Sequence, residues 1–134
     1  MSDPQTATFS FTKLVVDDLE KMSAFYRRVY DLKQIARYQG HIGSEAIDEI
    51  MLGHGESVSP GSLVLLKYVD RPAARTGELI LGFTTNDLAR LLEKLQAAGG
   101  RIHAGIKELP ELRLKVAFAT DPEGHLAELV QMQA

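Results

Sequence analysis

Cysteine is absent from the 134-residue chain, and so is tryptophan. Without a thiol there can be no disulfide, no thiolate metal site and no cysteine nucleophile. Without tryptophan, flat-ring stacking on a ligand would depend on residues such as Phe11, Tyr38 or Tyr68. A large excess of either charge is also missing. The formal net charge of −3 gives no basic footprint for nucleic acid, and Arg27, Arg28 and Lys33 read as the wet face and exit of a helix. No apolar run approaches the length of a membrane span. The opening Met1–Thr6 has neither a basic start nor an apolar stretch, so it does not read as a secretion signal, and a cytoplasmic protein is expected.

What remains is an ordinary globular composition, 45% hydrophobic and 25% charged. The length suits one domain with a core that needs no covalent staple. Phe9 to Val16 is aromatic and β-branched and predicts a strand. Asp17 follows as an N-cap, with Glu20 completing a capping-box pattern. Leu19, Met22, Tyr26 and Val29 then recur at helical spacing as far as Tyr30. Leu32–Tyr38, Ala46–Leu52 and Leu63–Tyr68 predict strands, with a glycine-rich loop from Gly53 to Gly61 before the last. Asp70–Gly77 reads as a linker.

Beyond it the pattern restarts. Leu79–Thr85 predicts a strand and Asn86 an N-cap, and Leu88, Leu91, Leu92, Leu95 and Ala98 form a second apolar stripe ended by Gly99-Gly100. Arg101–Ile106 and Leu112–Thr120 predict strands, Asp121-Pro122-Glu123-Gly124 a type I turn, and His125–Met132 the last strand. Sliding the second half back by 69 positions (88 − 19) lays Leu88 on Leu19, Leu91 on Met22, Leu95 on Tyr26 and Ala98 on Val29. One strand–helix–strands unit is therefore written twice. The expectation is a single α+β domain over residues 1–134 made of two tandem βαβββ modules. Module one covers about 9–68, the linker about 70–77 and module two about 78–132. Two such units packed together leave a concave sheet surface, the kind of place where small molecules bind.

Leu14-Val15-Val16-Asp17-Asp18-Leu19 followed by Phe25-Tyr26, Ala97-Ala98-Gly99-Gly100, and above all Ala117–Leu129 with its Asp-Pro-Glu-Gly turn give the chain a family likeness. In these stretches, and over nearly its whole length, it resembles the vicinal oxygen chelate superfamily. That group includes glyoxalase I, methylmalonyl-CoA epimerase, fosfomycin-resistance enzymes, extradiol dioxygenases and bleomycin-binding proteins. The resemblance implies a homodimer with sites at the subunit interface. It also implies, in metal-using members, four ligands on the first and last strands of each module.

Carried over by register, those four positions fall on Phe11, Leu65, Ile80 and Glu128. Only Glu128 has a lone pair to offer a metal. A site with one carboxylate falls short of the three or more protein ligands that a catalytic ion needs, so no metal and no other cofactor is expected. Glu128 would instead be a catalytic general base in an apolar cup lined by Phe11, Leu65 and Ile80. Lys13 and Lys67 lie two residues beyond Phe11 and Leu65, which by strand alternation puts them on the same face to receive an anionic group or a developing oxyanion. Glu45, Asp48 and Glu49 read as a solvated acidic strand face or as the border of a pocket, and His41, His54, His103 and His125 share no ligand spacing. Two functions follow from the likeness. One is glyoxalase-type lyase or isomerase chemistry on a small oxygenated metabolite, without the usual metal. The alternative is a non-catalytic, bleomycin-resistance-like binder of small molecules.

Overall fold

The computed structural model describes residues 7–74 and 79–133. The opening Met1–Thr6, which does not read as a secretion signal, and the linker residues Arg75–Gly77 lie outside them. The first module runs β1 (Phe11–Val15), α1 (Leu19–Tyr30), β2 (Lys33–Ile42), β3 (Glu45–Gly53) and β4 (Ser62–Tyr68). The second runs β5 (Ile80–Thr85), α2 (Leu88–Ala97), β6 (Arg101–Leu109), β7 (Leu114–Thr120) and β8 (Leu126–Met132), with a short 3-10 turn at Pro110–Leu112. The strands form two four-stranded sheets, ordered β1-β4-β3-β2 and β5-β8-β7-β6. In each, the first strand pairs in parallel with the last and the other pairs are antiparallel. This is the tandem βαβββ arrangement in α+β form.

Both helices begin one residue later than expected. Asp18, not Asp17, caps α1 by accepting from the Lys21 N–H at 3.0 Å, and Asp87, not Asn86, caps α2 by accepting from the Arg90 N–H at 3.1 Å. The two caps keep the 69-residue offset (87 − 18). With Asp18 as the cap, Lys21 and not Glu20 stands at the third helical position, so no capping box forms, and Glu20 pairs with Arg37 instead. Asp17 spends its carboxylate on the Ala73 N–H. Its backbone N–H and that of Asp18 donate to Glu123 of the other module, which sets a negative charge at the start of α1.

Alternation along the strands fixes two faces per sheet. Leu14, Ile50, Leu52, Leu63 and Leu65 turn inward from the first sheet, and Ala117, Ala119, Ala127 and Leu129 from the second, onto the apolar stripes of α1 and α2 in one shared core. Burying each large aliphatic side chain there contributes about 1.5–3 kcal/mol. Aromatic contacts bind the modules together: Tyr30 of α1 stacks on Phe83 of β5 with ring centroids 3.7 Å apart. At Gly100, which follows α2, an added Cβ would lie 2.7 Å from the Thr120 carbonyl oxygen, so only glycine lets the chain pass there. Among the described residues no helix covers the opposite faces of the sheets, and these open faces hold the candidate chemistry.

Candidate functional site

Strand register decides which side chains share the open faces. In the second sheet Gly82 lies opposite Glu128, and Glu128 opposite Phe118. Ala127 and Leu129 are buried toward the helices, so Glu128 points to the open side, half-buried. An added Cβ at Gly82 would meet nothing within 4 Å, so space lies beside the carboxylate. Among the described residues Glu128 makes no hydrogen bond or ion pair. Ile80 shares this face and is 54% exposed.

In the first sheet Phe11 lies opposite Ser62, Lys13 opposite Val64, and Val15 opposite Leu66. Phe11 and Lys13 therefore occupy the open face, together with Val64. Leu65 does not. It lies opposite Leu14, fully buried against the helices. The position equivalent to Glu128 is Val64, since Lys13↔Val64 in the first sheet matches Gly82↔Glu128 in the second. The expectation for Leu65 is thus out by one residue, and a one-residue slip moves a strand side chain to the other face. Lys67 is displaced with it. It lies opposite Asp48, whose carboxylate binds Arg37 on the helix side of the sheet.

The acidic group beside these strands is not a uniform wet face. Glu45 pairs with Arg71 and Asp48 with Arg37, both near the surface. Glu49 is only 3% exposed, on the open face, and its carboxylate accepts from Lys13 Nζ at 3.0 Å. Sequence reasoning missed this pair because its members are 36 residues apart and meet only across β4.

Phe11, Ser62, Ile80 and Gly82 line one groove of about 260 Å³ between the two sheets. Glu128 and Lys13 do not line it, and no hydrogen bond or ion pair joins them within the chain. A wider cleft of about 510 Å³ opens between the end of α1, β5 and the start of α2, and His54 borders it. His41 and His103 are exposed.

His125 has a different setting. Its Nδ1 lies 2.7 Å from Asp121 Oδ2 and its Nε2 3.2 Å from the Val15 carbonyl oxygen. With an acceptor on each side, the ring is suited to its doubly protonated form. Burial alone would lower its pKa, but the bond to Asp121, that carboxylate's charge, the Val15 carbonyl and Glu123 together raise it. Tyr26 donates to the same Asp121 oxygen at 2.7 Å, and burial, then the Asp121 charge and hydrogen bond, push its phenol far above the usual value. This buried cluster ties the Asp-Pro-Glu-Gly turn to β1 and α1. Its proton sites face inward and are already engaged.

A divalent ion held as metal-using family members hold it would need donors at Phe11, Val64, Ile80 and Glu128. Three of these have no lone pair, and no group of three His, Asp or Glu among the described residues could hold a metal. The donor set does not fit the ion.

Residues 8–129 match the profile of the Glyoxalase/Bleomycin resistance protein/Dioxygenase superfamily, and the chain belongs to that superfamily. It is similar to a lactoylglutathione lyase of Arabidopsis thaliana, 29% identical over 119 residues, which are 87% of this chain but 41% of the plant protein. The chain therefore spans about two fifths of that relative's length. Among solved structures, a glyoxalase family protein of Bacillus cereus superposes with a TM-score of 0.83 at 16% identity, covering 100% of this chain and 99% of the other. Glyoxalase I of Zea mays gives 0.76 at 24% identity, covering 91% of this chain and 45% of the other. Glyoxalase I of Leishmania major gives 0.74 at 19%, covering 94% and 87%. These structures share the fold.

Proposed function

We propose that this protein is a glyoxalase-type lyase or isomerase of small oxygenated metabolites, with Glu128 as its general base and no metal. The observation that carries this is Glu128 itself, a half-buried, unpartnered carboxylate facing open space beside Gly82. Glu128 takes a proton from the carbon next to a carbonyl, the C–H electron pair moves into a new C=C bond, and the carbonyl oxygen gains the negative charge. Where the carbon that lost the proton bears a hydroxyl, that O–H electron pair forms a new C=O and its proton passes to the former carbonyl oxygen. Glu128 returns the first proton to the former carbonyl carbon, which completes an isomerisation. The developing oxyanion needs a donor, which Lys13 supplies. Phe11 and Ile80 form the apolar walls.

Lys13 and Glu128 belong to different sheets, so the complete site is formed by two copies, the first sheet of one chain facing the second sheet of another. Exposed apolar side chains support this homodimer: Phe11 at 44%, Tyr38 at 52%, Ile80 at 54% and Ile106 at 44%. No helix among the described residues is long and apolar enough to cross a membrane.

The test is turnover of S-lactoylglutathione, the compound in the plant relative's name, or its formation from methylglyoxal and glutathione, with Glu128→Gln beside the wild type. Turnover that is chelator-resistant and lost in Glu128→Gln supports this function. Turnover that survives in Glu128→Gln refutes it. The loss of three ligand positions to apolar residues favours one other function, sequestration without chemistry, which would show as saturable binding with no product on prolonged incubation.

A further inference from the structure

The two open faces descend from one repeated unit but no longer carry the same groups. The strand registers put Gly82 where the first sheet has Lys13, Val116 where it has Glu49, and Glu128 where it has Val64. One face presents a lone carboxylate, the other a carboxylate already joined to an ammonium. Glu49 is only 3% exposed while the Lys13 side chain keeps 37% exposure, so the acid is the fixed member and the lysine the one that reaches the open side. The Lys13 ammonium lies 3.0 Å from Glu49 Oε2 and 5.8 Å from the centre of the Phe11 ring. A lysine stem has about 2 kcal/mol of rotamer freedom to lose and left alone would extend into water. Here two partners hold it, Glu49 across β4 and the Phe11 ring on its own strand.

From this we infer that Glu49 is the positioning and selectivity residue of the site: it holds Lys13 on the face and cancels its charge, so the site favours a neutral carbonyl oxygen over a carboxylate. The inference rests on the proposed role of Lys13 as the group that meets the substrate oxygen. An ammonium bound to one carboxylate still has two N–H donors to offer. An incoming anion, however, meets the buried negative charge of Glu49 along with the lysine and gains little from the pair. A carbonyl oxygen loses nothing to Glu49 on approach and takes up the donors as it gains charge in the reaction, where preorganised donors matter most. With the pair intact, the lysine acts as a hydrogen-bond donor and not as an anion trap.

The experiment uses the full chain produced with 13C-lysine. The Lys13 ε-methylene signal, identified by its absence in Lys13→Arg, is followed by NMR during addition of pyruvamide or pyruvate, probes of similar shape that differ in charge. In the wild type, pyruvamide is expected to move the signal at lower concentration than pyruvate. Glu49→Gln, nearly isosteric but uncharged, is expected to reverse that order, changing the ratio of the two dissociation constants by roughly tenfold or more after screening. Glu49→Asp keeps the charge and should keep the wild-type order, separating charge from packing. If both probes move Lys13 and the ratio is the same in Glu49→Gln, the inference is overturned while Lys13 keeps its place in the site. If neither probe moves Lys13 in the wild type, the inference falls together with the role of Lys13. Should Glu49→Gln fail to fold, tighter binding of pyruvate than of pyruvamide by the wild type is sufficient to refute it.

Discussion

Asp121 is the residue whose loss should hurt the fold most for its size. Its Oδ1 accepts from the backbone N–H groups of Glu123 at 2.8 Å and His125 at 3.0 Å, and its Oδ2 faces Tyr26 Oη and His125 Nδ1, each at 2.7 Å. Asp121→Ala removes all four bonds and strands two buried partners, Tyr26 at 1% exposure and His125 at 8%. Removing one member of a buried charged pair costs about 3–5 kcal/mol, which for a chain of this length lowers Tm by roughly 10–20 °C. Asp121→Asn retains an acceptor for the two backbone donors and should cost roughly half as much.

The same cluster sets a pH dependence. His125 has a pKa raised above its ordinary 6.5 in the folded state, so the stability it contributes is complete below pH 6.5 and fades as pH climbs through the raised folded value. Urea denaturation from about pH 5.5 to about pH 9 should therefore show the wild type losing stability relative to His125→Gln as pH rises. Two results would refute the reasoning. One is a wild type that gains on the variant with rising pH; the other is an Asp121→Ala protein melting within about 3 °C of the wild type, less than about 1 kcal/mol.

Three further tests probe the fold and the site. Gly100→Ala drives a Cβ to 2.7 Å from the Thr120 carbonyl oxygen and 2.6 Å from Leu95 Cδ2, and calorimetry should show a loss of about 1–3 kcal/mol. Gly82→Val fills the open space beside Glu128 and should leave stability within about 1 kcal/mol while abolishing ligand binding or turnover, measured by titration and by the thioester assay. Leu65→Ala should cost about 2–5 kcal/mol by denaturant melt, with ligand affinity unchanged, because its side chain faces the helices.

What could be read without coordinates follows the range of the interactions involved. The helix stripes are local patterns, and Leu19, Met22, Tyr26 and Val29 are all buried on α1. The caps were out by one residue because neighbouring pairs, Asp17-Asp18 and Asn86-Asp87, offer two capping side chains each and only backbone geometry chooses between them. Glu128 could be oriented because the turn at Asp121–Gly124, closed by the Gly124 N–H to the Asp121 carbonyl, anchors β8 four residues upstream. Leu65 had no such anchor: β4 follows the glycine-rich loop from Gly53 to Gly61, so counting along the chain could not fix which side chains face out. Glu49 was less visible still. A buried carboxylate and a solvated one look alike in a run of acids, and the difference lies in a lysine brought across an intervening strand. Where two copies of a module have diverged, facing preserves the comparison better than spacing does. The 69-residue offset finds the helices and caps, but the insertion before β4 breaks it, and only strand pairing reveals that Val64 stands in the place of Glu128.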